Sequence, residues 1–182
     1  MSNSERLILV DETDRAWGDG LKLDVHKHGV LHRAFSIFIW NNAGQLLIQK
    51  RAKIKYHSAG LWTNSCCGHP CVGEIVQDGA HRRLYEELGI TVRLDHIGNY
   101  RYRAELPGEL VENEFVHIFA GRSEDVPSPN PQEVEKIRWV TPEALVKDIA
   151  ENQHSYSAWF QLYVANLSGV VLSCPAIRHN TN

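Results

Sequence analysis

The sequence predicts a mixed α/β (α+β) fold, a mixed or largely antiparallel β-sheet with flanking helices. Three observations carry this. Short runs rich in β-branched and aromatic residues, such as AFSIFIW, recur along the chain. Turn residues separate them at hairpin distance, at Asn41–Gly44 and at Pro107–Gly108. Two segments, 78–88 and 141–152, carry helix signals instead. Such interleaving around hairpins is the pattern of a sheet with helices packed on it.

Taken in order, the first apolar stretch, RLILV, reads as a strand. It has no basic start and no cleavage-like segment, so it does not read as a signal peptide. Ala34–Trp40 and Gln45–Lys50 form a predicted hairpin. Asp78–Leu88 reads as a helix with Asp78 at its N-cap. Ala80, Leu84 and Leu88 make its apolar stripe, and Gly89 stops it. Tyr100–Arg103 and Leu110–Gly121 read as strands, SEDVPSPNPQE as a loop and Ile137–Val140 as a further strand. TPEALVKDIAEN opens a helix with Thr141 as N-cap and Pro142 in the first turn. Tyr156–Leu167 reads as the last helix, and the tail after Cys174 as frayed.

The chain has 182 residues, 43% hydrophobic and 23% charged, the balance of a globular chain that buries a core without disulfide staples. A single domain over 1–182 is expected. The net charge of −3 gives no reason to expect nucleic acid as a partner. No apolar run approaches the roughly 20 residues of a membrane span. Three of the four cysteines, Cys66, Cys67 and Cys71, are too crowded to staple distant elements, and with Cys174 they do not form the two spaced pairs of a zinc ribbon. A reducing, cytoplasmic location is expected.

Gly68 opens the densest motif, GHPCVGEIVQDGAHRRLYEELGI. Glu74 follows after five intervening residues, then after seven more come Arg82, Arg83 and Leu84, and finally Glu86, Glu87, Gly89 and Ile90. On a helix, Arg82 faces Glu86 and Arg83 faces Glu87. This spacing resembles the Nudix box, a loop–helix–loop that binds diphosphates through a divalent cation. It departs from the Nudix hydrolases at Arg83, where they carry a metal-binding glutamate. A cation there serves diphosphate binding and weakens metal-assisted hydrolysis.

Glu112 and Glu114 alternate on a predicted strand and so share a face, which Val116 and Ile118 continue. Two carboxylates at the end of an apolar face repel each other unless a cation joins them. His26, His32 and His69 are candidate imidazole partners, with His28 a rival to His26. Three histidine nitrogens with two carboxylates suit Mn²⁺ or Zn²⁺ better than Mg²⁺.

Together, WTNSCCGHP, HKHGVLHRAF and VENE resemble the type I isopentenyl diphosphate isomerases, a Nudix-fold family, from about Lys22 to Trp159. That resemblance implies a catalytic core at about 22–160, a small-molecule diphosphate substrate, no nucleic acid or membrane partner, and a monomer or weak dimer. It implies interconversion of isopentenyl and dimethylallyl diphosphate, in isoprenoid biosynthesis, through a tertiary carbocation. Cys67 and Glu114 would be the acid/base groups, Tyr102 a hydrogen-bond partner of Glu114, and Trp159 the aromatic face over the cation. His26, His32, His69, Glu112 and Glu114 would hold Mn²⁺ or Zn²⁺. Lys22, Arg51, Lys55 and Arg83 would contact the diphosphate, with Mg²⁺ bridging it to Glu87. A Nudix pyrophosphohydrolase and a non-catalytic Nudix-like binding domain are the alternatives.

Overall fold

The computed structural model describes residues 5–175. The predicted first strand is β1 (Arg6–Val10). It pairs antiparallel with β2 (Ala16–Leu21), which leads into a short helix, α1 (Lys22–His28). Neither β2 nor α1 has a strong signal in sequence. β2 is largely exposed, and Leu21, at the N-cap of α1, makes no side-chain cap.

The long strand β3 (His32–Trp40) is buried along nearly its whole length, the mark of a central strand. Its predicted hairpin with β4 (Leu46–Arg51) forms only at the base, where Trp40 faces Leu46 and Asn41 and Gln45 hydrogen-bond each other. Beyond that pair the two strands part. β3 runs parallel to β8 (Leu110–Arg122), from His32 opposite Glu114 to Trp40 opposite Arg122. β4 pairs instead with β9 (Val134–Val140) and with β5 (Trp62–Thr63). β6 (Cys66–Gly68) adds to β3, and β7 (Asp95–Leu106) forms a long hairpin with β8. The described residues thus make a nine-stranded mixed sheet.

Helices cover both faces of this sheet. The helix α2 (Val76–Leu88) buries Ala80, Leu84 and Leu88 against Phe35, Ile37 and Ile39. On the opposite face, Ala34, Phe38, Val116 and Ile118 pack with α3 (Pro142–Glu151) and α4 (Ala158–Val171). Each leucine of the α2 stripe is fully buried, a contribution of about 1.5–3 kcal/mol apiece.

Thr141 caps α3 as the sequence predicts, its hydroxyl accepting from Ala144 N. Two helix starts differ from expectation. α2 begins at Val76, two residues ahead of Asp78, which sits in the first turn rather than at the cap. The turn before it sets that start: Gly73 is left-handed at φ 83°, and the Glu74 carboxylate accepts from Cys71 N at 2.7 Å. Asp78 then complements the helix dipole instead of capping it. The last helix begins at Ala158, because Tyr156 is extended, and runs to Val171 past a kink at Leu167. Residues 176–182, most of the expected frayed tail, lie outside the described residues.

Candidate functional site

The face that carries Val116 and Ile118 ends in polar residues. On β8, Glu112 and Glu114 follow the same alternation and are 3% and 8% exposed. His32 enters from the start of β3, directly opposite Glu114, and Tyr102 of β7 lies opposite it on the other side. α1 contributes His26, and the segment after β6 contributes His69. Ligand atoms of His26, His32 and His69 lie within 4.8 Å of one another, as do those of His32, Glu112 and Glu114.

The histidines are held by their far nitrogens. His26 Nδ1 is 2.6 Å from Lys22 O, and His32 Nδ1 is 2.9 Å from Val30 O. A carbonyl only accepts, so each Nδ1 carries the proton and each Nε2 presents a lone pair to the cluster. Those two Nε2 atoms and Glu112 Oε2 are buried and have no hydrogen-bond partner among the described residues. They approach the carboxylates, with His26 Nε2 3.2 Å from Glu112 and His32 Nε2 3.6 Å from Glu114, while His69 Nε2 is hydrogen-bonded to Glu114 at 3.0 Å. Burial drives His69 well below the ordinary imidazole range, aided by Lys22 and the neighbouring histidines, so it is neutral. Orphaned imidazole lone pairs beside two buried carboxylates fit a divalent cation. His28 is exposed, its Nδ1 bonded to Asp24 O, and it is not among these groups.

Glu114 Oε2 accepts from the Tyr102 hydroxyl at 2.7 Å. Burial raises this carboxyl, but His32 and Tyr102 together outweigh burial and hold it below the usual carboxylate range. Cys67 behaves oppositely. Burial pushes its thiol up to about 12, against hydrogen bonds to Ser36 and Asn64. Its Sγ donates to Asn64 Oδ1 at 3.0 Å and lies 3.3 Å from Ser36 Oγ. Asn64 is oriented for this because its amide nitrogen donates to Ile37 O and Cys66 O. Cys66 is buried in the opposite core, and Cys71 is exposed.

Cys67, Glu114, Tyr102 and Trp159 all line one cavity of about 270 Å³. Lys22, Arg51, Lys55, Arg83 and Glu87 line it too. Lys22 pairs with Glu5 at 3.0 Å, and Arg83 pairs with Glu86, Glu87 and Glu133. Lys55 also pairs with Glu133. Arg51 Nε is buried without a partner among the described residues, an opening for an anion. Glu87 also accepts from Gln49 at 2.8 Å. Trp159 Nε1 donates to Thr63 at 2.8 Å, and the Arg51 guanidinium lies 5.3 Å from the indole centroid.

One residue of the cluster has no motif to announce it. His57 lies between β4 and β5, its Nε2 3.3 Å from Glu112 Oε1 and within 4.8 Å of a His26 ligand atom. Burial pushes it down to about 3, so it is neutral. Its only sequence signal is a histidine two residues after Lys55, one of ten in the chain.

A NUDIX domain family model matches residues 30–160. Among curated relatives, isopentenyl-diphosphate Delta-isomerase 2 of Photorhabdus laumondii is 48% identical over 164 residues, covering 90% of this chain and 93% of that protein. The isopentenyl-diphosphate Delta-isomerase of Serratia proteamaculans is 45% identical over 163 residues, covering 90% and 91%. Among solved structures, DR0079 from Deinococcus radiodurans superposes with a TM-score of 0.72 at 24% identity, covering 87% of this chain and 96% of that one. The MutT protein of Methanosarcina mazei follows at a TM-score of 0.63 and 21% identity, covering 76% and 94%. These two likenesses speak to the fold. By the domain match and by identity along most of its length, the chain belongs to the NUDIX family and, within it, to the isopentenyl-diphosphate Delta-isomerases.

Proposed function

We propose that the protein interconverts isopentenyl and dimethylallyl diphosphate, with Cys67 and Glu114 as its proton-transfer groups. The observation that carries this reading is that the Cys67 thiol and the Glu114 carboxylate line one cavity, burial pushing the first up while hydrogen bonds and neighbouring charge hold the second below its ordinary range. Groups whose surroundings push their pKa values apart make an acid and a base.

An unactivated alkene is a weak base, so the reaction needs a proton delivered to one carbon and another removed from a neighbouring carbon. The first transfer leaves a tertiary carbocation, and the second forms the new double bond. In each direction one of the two groups gives a proton and the other takes one. The Trp159 indole lines the same cavity, and its π face stabilises a cation without bonding to it, by about 2 kcal/mol when desolvated. Tyr102 orients the Glu114 carboxylate.

The diphosphate is read into the cationic end, against Lys22, Arg51, Lys55 and Arg83. Glu87 suits Mg²⁺ shared with the phosphates. His26, His32, His69, Glu112 and Glu114 suit Mn²⁺ or Zn²⁺. A cation bound there supplies charge that orients Glu114 and sets its basicity. Arg83, committed to ion pairs where a hydrolase has a carboxylate, argues against hydrolysis.

Proton NMR of isopentenyl diphosphate in deuterated water tests the reading. The wild type should give the dimethylallyl product with deuterium uptake and no phosphate release. Cys67→Ala and Glu114→Gln should each lose at least about 100-fold in turnover, the scale of acid–base catalysis. Full turnover in either variant refutes that residue's role.

A further inference from the structure

We propose that His57 is a positioning residue of the metal centre, fixing the Glu112 carboxylate by donating Nε2–H to Oε1, the oxygen that His26 does not meet. This rests on the metal-centre reading above and adds a residue to it.

Glu112 meets His26 through Oε2, at 3.2 Å, and His57 through Oε1, at 3.3 Å. The carboxylate therefore lies between two imidazoles. Oε2, on the His26 side, has no hydrogen-bond partner among the described residues. His57 stands apart from the remaining histidines: its ligand atom groups with His26 and Glu112 but not with His32 or His69. That position suits a support behind a ligand better than a ligand. Carboxylates that bind metals are commonly held by such outer hydrogen bonds.

The His57 ring is itself fixed. Nδ1 lies 3.3 Å from the Ser58 hydroxyl, which can donate to it and leave the proton on Nε2. Tyr56 and Trp159 meet the ring edge-to-face, at 4.3 and 5.9 Å between centroids. Ser58 adopts φ 49°, a left-handed conformation uncommon outside glycine, so the loop holds an unfavourable backbone while presenting the ring. The contact with Trp159 links Glu112 to an indole that lines the same cavity.

Mn²⁺ affinity of the purified protein, by calorimetry and chelator competition, tests this with His57→Ala and His57→Gln. Circular dichroism reports folding of each variant. The glutamine amide nitrogen takes the place of Nε2 and still donates, but it does not replace an imidazole as a ligand. Wild type should bind Mn²⁺ at a site that Glu112→Gln abolishes. His57→Ala should bind 10- to 100-fold more weakly, and His57→Gln within about threefold of wild type. Unchanged affinity in His57→Ala overturns the proposal alone. Equal loss in both variants overturns it in favour of direct ligation. If His57→Ala does not fold, His57→Gln decides: near-native affinity supports the positioning role, and a 10-fold loss refutes it. Absence of Mn²⁺ binding in wild type overturns the metal-centre reading as well.

Discussion

Glu114 divides its two oxygens between different partners: Oε2 takes the Tyr102 hydroxyl, and Oε1 faces His69 and His32. Removing the phenol leaves a buried carboxylate oxygen with nothing to accept from. A hydrogen bond to a charged group contributes about 1.5–3 kcal/mol, which at the transition state is roughly 10- to 150-fold in rate. Tyr102→Phe should therefore lower kcat by that factor and leave KM for the diphosphate substrate within about threefold. Steady-state kinetics checks this, and a loss confined to KM contradicts it. At this scale the sequence is informative where spacing carries chemistry. The alternation of Glu112 and Glu114 puts both carboxylates on one face by strand geometry alone, and β8 holds them there. His57 and Asn64 are not legible in the same way. His57 stands at no diagnostic spacing, and its partner Glu112 is reached only after the chain folds; Asn64 lies within WTNSCCGHP, three residues from Cys67, but that spacing does not by itself announce a hydrogen bond to the thiol.

The motif helix shows why element ends differ in legibility. Its C-terminus is readable because Gly89 is left-handed at φ 66° and its N–H closes on Tyr85 O at 2.8 Å. Its N-terminus is not, because a turn through Gly73 and the Glu74 carboxylate sets it rather than a capping side chain. A Cβ at Gly89 would lie 3.1 Å from Ser128 Cβ, in addition to the left-handed penalty of about 1–2 kcal/mol. Gly89→Ala should lower Tm by roughly 2–8 °C, at 2–4 °C per kcal/mol for a chain of this size. Turnover well below Tm should stay near wild type, since Gly89 does not line the cavity. A thermal melt with unchanged Tm contradicts the account. α1 lies at the other extreme. It is one short helix of seven residues with no side-chain N-cap, yet it carries both Lys22 and His26 into the site.

Across the whole molecule, the site is a meeting of distant segments. β3 and β8 run parallel with some eighty residues between His32 and Glu114, and no local pattern announces that pairing. Many of the carboxylates that tie such segments together titrate below their ordinary range, among them Glu5, Glu133 and Asp148. Glu74 is the clearest. The Arg82 hydrogen bond, with help from the Cys71 backbone, holds it at about 2 against an ordinary 4.5. Between those values the unfolded chain binds more protons at this position than the folded one, so stability rises with pH there. The contribution is complete above about pH 4.5 and is lost as pH falls through 2. In Glu74→Gln the amide does not titrate, so this part of the acid sensitivity disappears. Urea midpoints at pH 6 and pH 3 should fall further in the wild type than in the variant, even though the variant starts lower at pH 6 for want of its ion pair with Arg82. The same drop in both proteins would mean that Glu74 titrates alike folded and unfolded, and that the Arg82 contact exerts no linkage.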